Sequence, residues 1–94
     1  MGTKGEIIRK RLTVTGDVQG VGFRYRAYHA AASLGLTGWV RNEWNGTVMM
    51  EVQGTEQEIA RMLEITEQGH FIHIEKIETE YRKVDEEERS FMIC

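Results

Sequence analysis

The predicted fold follows from residues 7–34, IIRKRLTVTGDVQGVGFRYRAYHAAASL, in which the hydrophobic pattern changes its period once. Residues 7–15 alternate apolar and polar side chains, which is typical of a strand. From Phe23 onward the apolar residues recur at helical spacing, and Gly35 is a typical end for such a helix. The intervening residues 16–22 are rich in glycine. The stretch therefore predicts a strand, a loop and a helix in that order.

A hairpin is predicted after this helix. Residues 37–42 and 47–53 both carry strand patterns. Asn45-Gly46 between them favours a tight turn, because both residues tolerate positive φ.

The last part of the chain predicts a second helix and a further strand. Thr55 and Glu58 have the spacing of a capping box, which marks the start of a helix. Residues 71–83 have a strand pattern whose phase slips, and this predicts a bulge near Glu75-Lys76. Residues 90–94 are compatible with a short final strand.

The order β-α-β-β-α-β, with this short fifth strand, is typical of one fold class. We expect an α+β protein with a ferredoxin-like split βαβ sandwich, in which two helices pack on one face of an antiparallel sheet. Residues 1–94 are expected to form a single domain. This fold serves many functions, so it does not itself predict one.

Composition excludes several classes of protein. No apolar run approaches the roughly 18–20 residues that span a bilayer, and residues 1–11 lack the apolar core of a secretory signal. Cys94 is the only cysteine, so no intramolecular disulfide is expected. We therefore expect a cytoplasmic protein.

Charge is distributed unevenly along the chain. Residues 1–50 hold seven Lys or Arg and three Asp or Glu, whereas residues 51–94 hold five and twelve. The positive half favours attraction of an anion. The net charge of −3 argues against a dedicated nucleic-acid binder.

The loop of residues 16–24, GDVQGVGFR, is a candidate anion site. Gly20 and Gly22 let the backbone approach a ligand closely, and successive N–H groups in such a loop can form an anion nest. The helix N-terminus behind the loop adds unpaired donors, and Arg24 can form two hydrogen bonds with a phosphoryl group. The same pattern also fits a plain strand-to-helix turn with a surface arginine.

Asn42 is a second candidate, because it falls at the end of the strand that enters the hairpin. Its amide offers both a donor and an acceptor, which suits the binding of a water molecule and of a developing oxyanion. The spacing alone favours the simpler interpretation that Asn42 helps to start the turn.

The two segments together resemble the acylphosphatase family. Its first signature reads roughly Gly-x-Val-Gln-Gly-Val-x-Phe-Arg, and residues 16–24 fit at every fixed position. Its second signature is matched by Gly38, Trp39, Val40, Arg41, Asn42, Gly46, Val48 and Gly54. The hairpin departs from the family, whose members often carry an aliphatic residue and then Asp-Gly where residues 43–46 read EWNG.

The resemblance implies a small standalone acylphosphatase, which hydrolyses the carboxyl–phosphate bond of small acyl phosphates. It implies that Arg24 and Asn42 are catalytic: Arg24 orients the phosphate, and Asn42 positions a water for in-line attack at phosphorus. The implied phosphate-binding residues are Asp17, Val18, Gln19, Gly20, Val21, Gly22 and Arg24. No cofactor, no metal and no covalent phosphoenzyme are expected, since positioning and electrostatics can carry phosphoryl transfer.

The resemblance also sets the expected partners. These are a small acyl phosphate and inorganic phosphate or a similar anion in the site, with no nucleic acid and no membrane. The expected state is a monomer.

Three alternatives compete with this hypothesis. His70 and His73 have the spacing of metal ligands, but zinc needs three or four and the chain offers only His29 and Cys94 besides. A binding module of the same fold would keep the anion loop without catalysis, like the acylphosphatase-like segment of carbamoyl-transferring maturation proteins. A nucleic-acid binder would need exposed aromatic residues on the central strands, and the sequence offers none there.

Two charged segments are expected to have no part in the site. The first is Arg9, Lys10 and Arg11. It either forms a basic strip beside the glycine-rich loop of residues 16–22, called the phosphate loop below, or solvates a sheet edge, and we favour solvation. Asp85 to Glu88 is predicted to be a solvated turn.

Tyr25 and Tyr28 follow the loop, and the sequence does not decide whether they pack near it.

Overall fold

Residues 5–94, which the computed structural model describes, form the predicted order of elements and the short fifth strand. The bounds are β1 (Ile8–Asp17), α1 (Phe23–Ser33), β2 (Thr37–Asn42), β3 (Val48–Gly54), α2 (Glu56–Glu67), β4 (His73–Arg82) and β5 (Phe91–Ile93). The first strand thus runs two residues further than predicted.

The five strands form one sheet in the order β4-β1-β3-β2-β5. The pairs β1–β3, β1–β4 and β2–β3 are antiparallel, which confirms the predicted α+β sheet for four strands. The fifth strand pairs parallel to β2, so the complete sheet is mixed. The chain reaches this edge because residues 83–90 carry it from β4 across to β2 and reverse its direction.

The predicted bulge near Glu75-Lys76 is confirmed in β4. Thr15 of β1 lies opposite Lys76, and the next residue, Gly16, lies opposite Ile74, so Glu75 has no partner. A bulge sharpens the local twist of a strand pair. Here it lies where β1 turns toward the glycine-rich loop.

The hydrophobic core lies between the sheet and the two helices. The predicted capping box starts α2: the Thr55 hydroxyl accepts from the Glu58 N–H at 3.2 Å, and the Glu58 carboxylate accepts from the Thr55 N–H at 3.1 Å. Core residues with almost no exposed surface are Leu12, Val14, Val18, Phe23, Ala27, Val40, Val48, Met50, Val52, Ile59 and Met62.

The prediction for Arg9 to Arg11 is wrong in both of its forms. β1 lies inside the sheet rather than at an edge, and Arg9 is only 5% exposed. Its guanidinium contacts the carboxylates of Glu51 and Glu88, at 2.7 and 2.8 Å. Burial alone would lower the pKa of Arg9, but its hydrogen bonds to Glu88 and Glu51 outweigh this and raise it. The segment is also separated from the loop by about 20–30 Å of strand.

The prediction of a solvated turn holds for Asp85, Glu86 and Glu87, which are exposed, and is wrong for Glu88. The side chain of Glu88 is 15% exposed and pairs with Arg9. The Asp85 N–H donates to the Gln53 side chain at 3.0 Å, and the Gln53 amide donates back to the Asp85 carbonyl at 2.8 Å. These contacts attach the segment before β5 to β1 and β3.

Candidate active site

The loop after β1 leads directly into the N-terminus of α1. Gly20 and Gly22 have φ values of 74° and 84°, a region that favours glycine because other residues carry a Cβ. Gly22 is the N-cap of α1; no side chain caps it, and no acidic residue lies in the first turn. The first N–H groups of the helix are therefore available to an anion, which the helix dipole also attracts.

The loop backbone offers further donors. Within residues 5–94, no hydrogen bond outside the helices and strands is donated by the N–H groups of Val18 to Gly22. Val18 is 1% exposed, so its side chain anchors the loop in the core while the backbone continues toward the surface. Such a row of free N–H groups is the kind of concavity that binds phosphate.

Arg24 lies in the first turn of α1, on the same side as the loop. It lines one pocket together with Gly20 and Gly22. Its Nη1 donates to the backbone carbonyl of Cys94 at 3.3 Å, which contributes to its orientation. The rest of the guanidinium remains available for a bidentate contact with a phosphoryl group.

Asn42 reaches the same pocket because of the alternation along β2. Val40 is buried against the helices, and Asn42, two residues later, points to the same face of the sheet. Arg41 points to the opposite face, where it pairs with Glu43 at 2.6 Å and stacks over Trp39 at 4.9 Å. The hydrogen bond to Glu43 raises the pKa of Arg41.

The pocket has a volume of about 210 Å³ and opens to the surface. It contains five of the predicted site residues, which are Val18, Gly20, Gly22, Arg24 and Asn42. The other three predicted residues, Asp17, Gln19 and Val21, do not line it. Asp17 is exposed at the end of β1, opposite His73, and the side chain of Gln19 points to the hairpin.

Ile93 and Tyr25 also line the pocket. The sequence did not indicate Ile93, and it did not decide whether Tyr25 packs near the loop. Ile93 lies in the pocket because β5 pairs with β2, which places it opposite Val40. Its side chain is 39% exposed. Only a long-range pairing places it, and no local motif marks it. Tyr25 follows Arg24 and is 64% exposed at the rim.

Among residues 5–94, no three His, Cys, Asp or Glu side chains converge as a metal site. No helix in the same range is long and apolar enough to cross a membrane.

The fold and the pocket define a class: small α+β proteins whose strand–loop–helix turn lines a pocket beside a strand-end amide. The family model for acylphosphatase matches residues 10–93. The acylphosphatase of Geobacillus kaustophilus is 44% identical over 86 residues, covering 90% of this chain and 92% of that protein. The chain belongs to the acylphosphatase family of hydrolases.

Solved structures agree with this assignment. The acylphosphatase of Bacillus subtilis superposes with a TM-score of 0.83 and 32% identity, covering 93% of this chain and 98% of that one. Full-length HypF, in its phosphate- and nucleotide-bound form, contains a similar region with a TM-score of 0.80 and 26% identity. That match covers all of this chain and 12% of HypF.

Proposed function

We propose that this protein hydrolyses small acyl phosphates to a carboxylate and inorganic phosphate, without a metal ion. The observation that carries the proposal is that Arg24 and Asn42 share one pocket with the loop glycines Gly20 and Gly22. An anion-binding group and a water-binding group thus face one space. Family membership supports the reaction, and the pocket supports the roles of the residues.

The phosphoryl group binds at the loop and the start of α1. Backbone N–H groups of residues 18–22 and the first turn of the helix donate to its oxygens. Arg24 adds a charge-assisted, bidentate contact that orients the phosphoryl group and stabilises its charge in the transition state. No proton has to move in this part of the site.

The attacking water binds to Asn42. The amide oxygen accepts a hydrogen bond from the water, and the amide N–H₂ can contact a phosphoryl oxygen. The water attacks phosphorus in line with the leaving carboxylate, whose low basicity lets it leave without a general acid. Catalysis then consists of positioning and electrostatic stabilisation.

We also propose that the protein acts as a cytoplasmic monomer and that inorganic phosphate, a product, inhibits it competitively. Size-exclusion chromatography tests the first statement for the isolated protein. A double-reciprocal analysis of phosphate inhibition tests the second.

The test is hydrolysis of benzoyl phosphate in the presence of EDTA. Arg24→Ala and Asn42→Ala are each expected to lower kcat/KM about 100- to 1,000-fold, as loss of a transition-state donor does. Arg61→Ala is the matched control, since Arg61 is exposed on α2 and, within residues 5–94, pairs only with Glu64. Circular dichroism establishes that each variant is folded.

Two outcomes would overturn the proposal. Wild-type protein that is folded but hydrolyses no faster than the spontaneous rate would leave an anion-binding module. Activity that EDTA abolishes and added Zn²⁺ or Mg²⁺ restores would contradict the metal-free mechanism.

A further inference from the structure

Gln19 connects the phosphate loop to the hairpin that carries Asn42. Its side-chain Nε2 donates to the backbone carbonyl of Glu43 at 2.8 Å and to that of Thr47 at 2.9 Å. Glu43 directly follows Asn42 in the chain. A single amide therefore bridges the two parts of the site.

Only a hydrogen-bond donor fits at the place of Gln19 Nε2. Both groups that contact Nε2 are carbonyl oxygens, so the orientation of the amide follows from its partners. The Glu43 N–H also donates to the Thr47 carbonyl, at 2.9 Å. The Gln19 amide thus contacts the hairpin at the Glu43–Thr47 pair, which directly follows the last paired residues of β2 and β3.

This link matters because the two halves of the site come from different elements. The phosphate-binding groups belong to the loop and α1, whereas Asn42 belongs to β2. In-line attack needs the water and the phosphorus aligned, and an error of about 1 Å can cost about 100-fold in rate. Direct hydrogen bonds between the elements hold that geometry best.

We propose that Gln19 is a positioning residue that sets the distance between the phosphate loop and Asn42. The expected loss of activity rests on the proposed function, whereas the hydrogen-bonded link between Gln19 and the hairpin does not. The side chain does not line the pocket, so it acts through the hairpin rather than on the substrate.

The first test is kinetic and compares the wild type with Gln19→Met and Gln19→Glu. Methionine keeps the length of the side chain without donors, and an ionised glutamate repels both carbonyls. We expect kcat for benzoyl phosphate to fall about 10- to 100-fold in both variants at pH 7, with the inhibition constant of inorganic phosphate within about threefold of wild type. Gln57→Met, an exposed change on α2, is the control.

The pH dependence of these variants separates hydrogen-bond donation from packing. Below about pH 4 the carboxyl group of Gln19→Glu is largely protonated and can donate to one carbonyl, so its activity relative to wild type rises. Gln19→Met shows no such recovery. An unchanged kcat in Gln19→Met, or a phosphate inhibition constant that rises as much as kcat falls, would overturn the positioning role.

The second test needs no turnover. Amide hydrogen exchange at Glu43 is expected to be faster in Gln19→Met than in the wild type, while the amides of α2 keep their wild-type rates. Unchanged exchange at Glu43 would contradict the link whether or not the protein is an active hydrolase. Absence of wild-type turnover with faster exchange would overturn the proposed function and leave the link standing.

Discussion

The carboxylate of Glu51 on β3 contacts the guanidinium of Arg9 on β1 at 2.7 Å, and the two side chains are 10% and 6% exposed. The second oxygen of the same carboxylate accepts from Arg11 Nε, also at 2.7 Å. This buried pair lies on the face of the sheet away from the helices. It joins two central strands to Glu88 in the segment before β5.

Removal of Arg9 is expected to destabilise the protein strongly. Arg9→Met removes the contact with Glu88 and leaves Glu51 with Arg11, which is more exposed than Arg9. Loss of one member of a buried pair costs about 3 kcal/mol. The measurement is urea denaturation at pH 7. Arg61→Met, which removes an exposed pair with Glu64, should cost less than about 1 kcal/mol. Equal losses in the two variants would contradict the importance of burial.

Stability is expected to fall in acid because of Glu51. Burial would raise the pKa of this carboxyl, but hydrogen bonds from Arg9 and Arg11 outweigh it and hold the pKa below its ordinary value of 4.5. The unfolded state therefore binds a proton at a higher pH than the folded state does. The contribution of Glu51 is complete above pH 4.5 and is lost as the pH falls through its folded-state pKa.

The measurement is the free energy of unfolding between pH 7 and pH 2 for the wild type and Glu51→Gln. The variant is less stable at pH 7, and the difference between the two proteins should shrink below about pH 4. A difference that stays constant with pH would mean that Glu51 does not titrate differently on folding.

Substitution of Gly16 is expected to damage the fold at the bulge. A Cβ at this position would overlap the carbonyl oxygen of His73 on β4, and the φ of 140° is one that other residues rarely adopt. Gly16→Ala should lower the free energy of unfolding by about 3 kcal/mol. Gly5→Ala is the control, since no described residue apart from its chain neighbours has a heavy atom within 4 Å of its Cβ position. A shift in the transition midpoint equal to that of the control would exclude the clash.

Truncation of Ile93 is expected to weaken binding of the acyl group rather than of the phosphate. Its apolar side chain lines the pocket but offers no hydrogen bond to phosphate oxygens. Ile93→Ala should lower kcat/KM for benzoyl phosphate about fivefold, corresponding to about 1 kcal/mol of lost apolar contact. The phosphate inhibition constant should change less than about twofold.

The neighbouring Met92 provides the control for that prediction. It is 58% exposed and does not line the pocket. Met92→Ala should leave both constants at their wild-type values, and an equal effect of the two substitutions would show that β5 acts through stability alone.

Local patterns were sufficient to predict most of the fold. The change of period before Phe23 marked the start of α1, the Thr55–Glu58 spacing marked that of α2, and the phase slip located the unpaired Glu75. Each of these features depends on residues within a few positions of one another, where steric and hydrogen-bonding preferences act directly.

Features that depend on distant pairing were not predictable in the same way. Arg9 has the local pattern of a solvated residue, and only the central place of β1 in the sheet buries it beside Glu51 and Glu88. Ile93 enters the pocket through the parallel pairing of β5 with β2. The contacts of Gln19 with the hairpin span 24 and 28 residues.

The strand order β4-β1-β3-β2-β5 also has a consequence for how the pocket arises during folding. β1 precedes both of its partners, and Ile93 enters the pocket through β5, which follows the other four described strands in the chain. Closing these long loops costs chain entropy before the pairings stabilise them, which slows folding. A nascent chain on the ribosome therefore acquires the part of the pocket that Ile93 lines only after β5 has emerged and paired with β2.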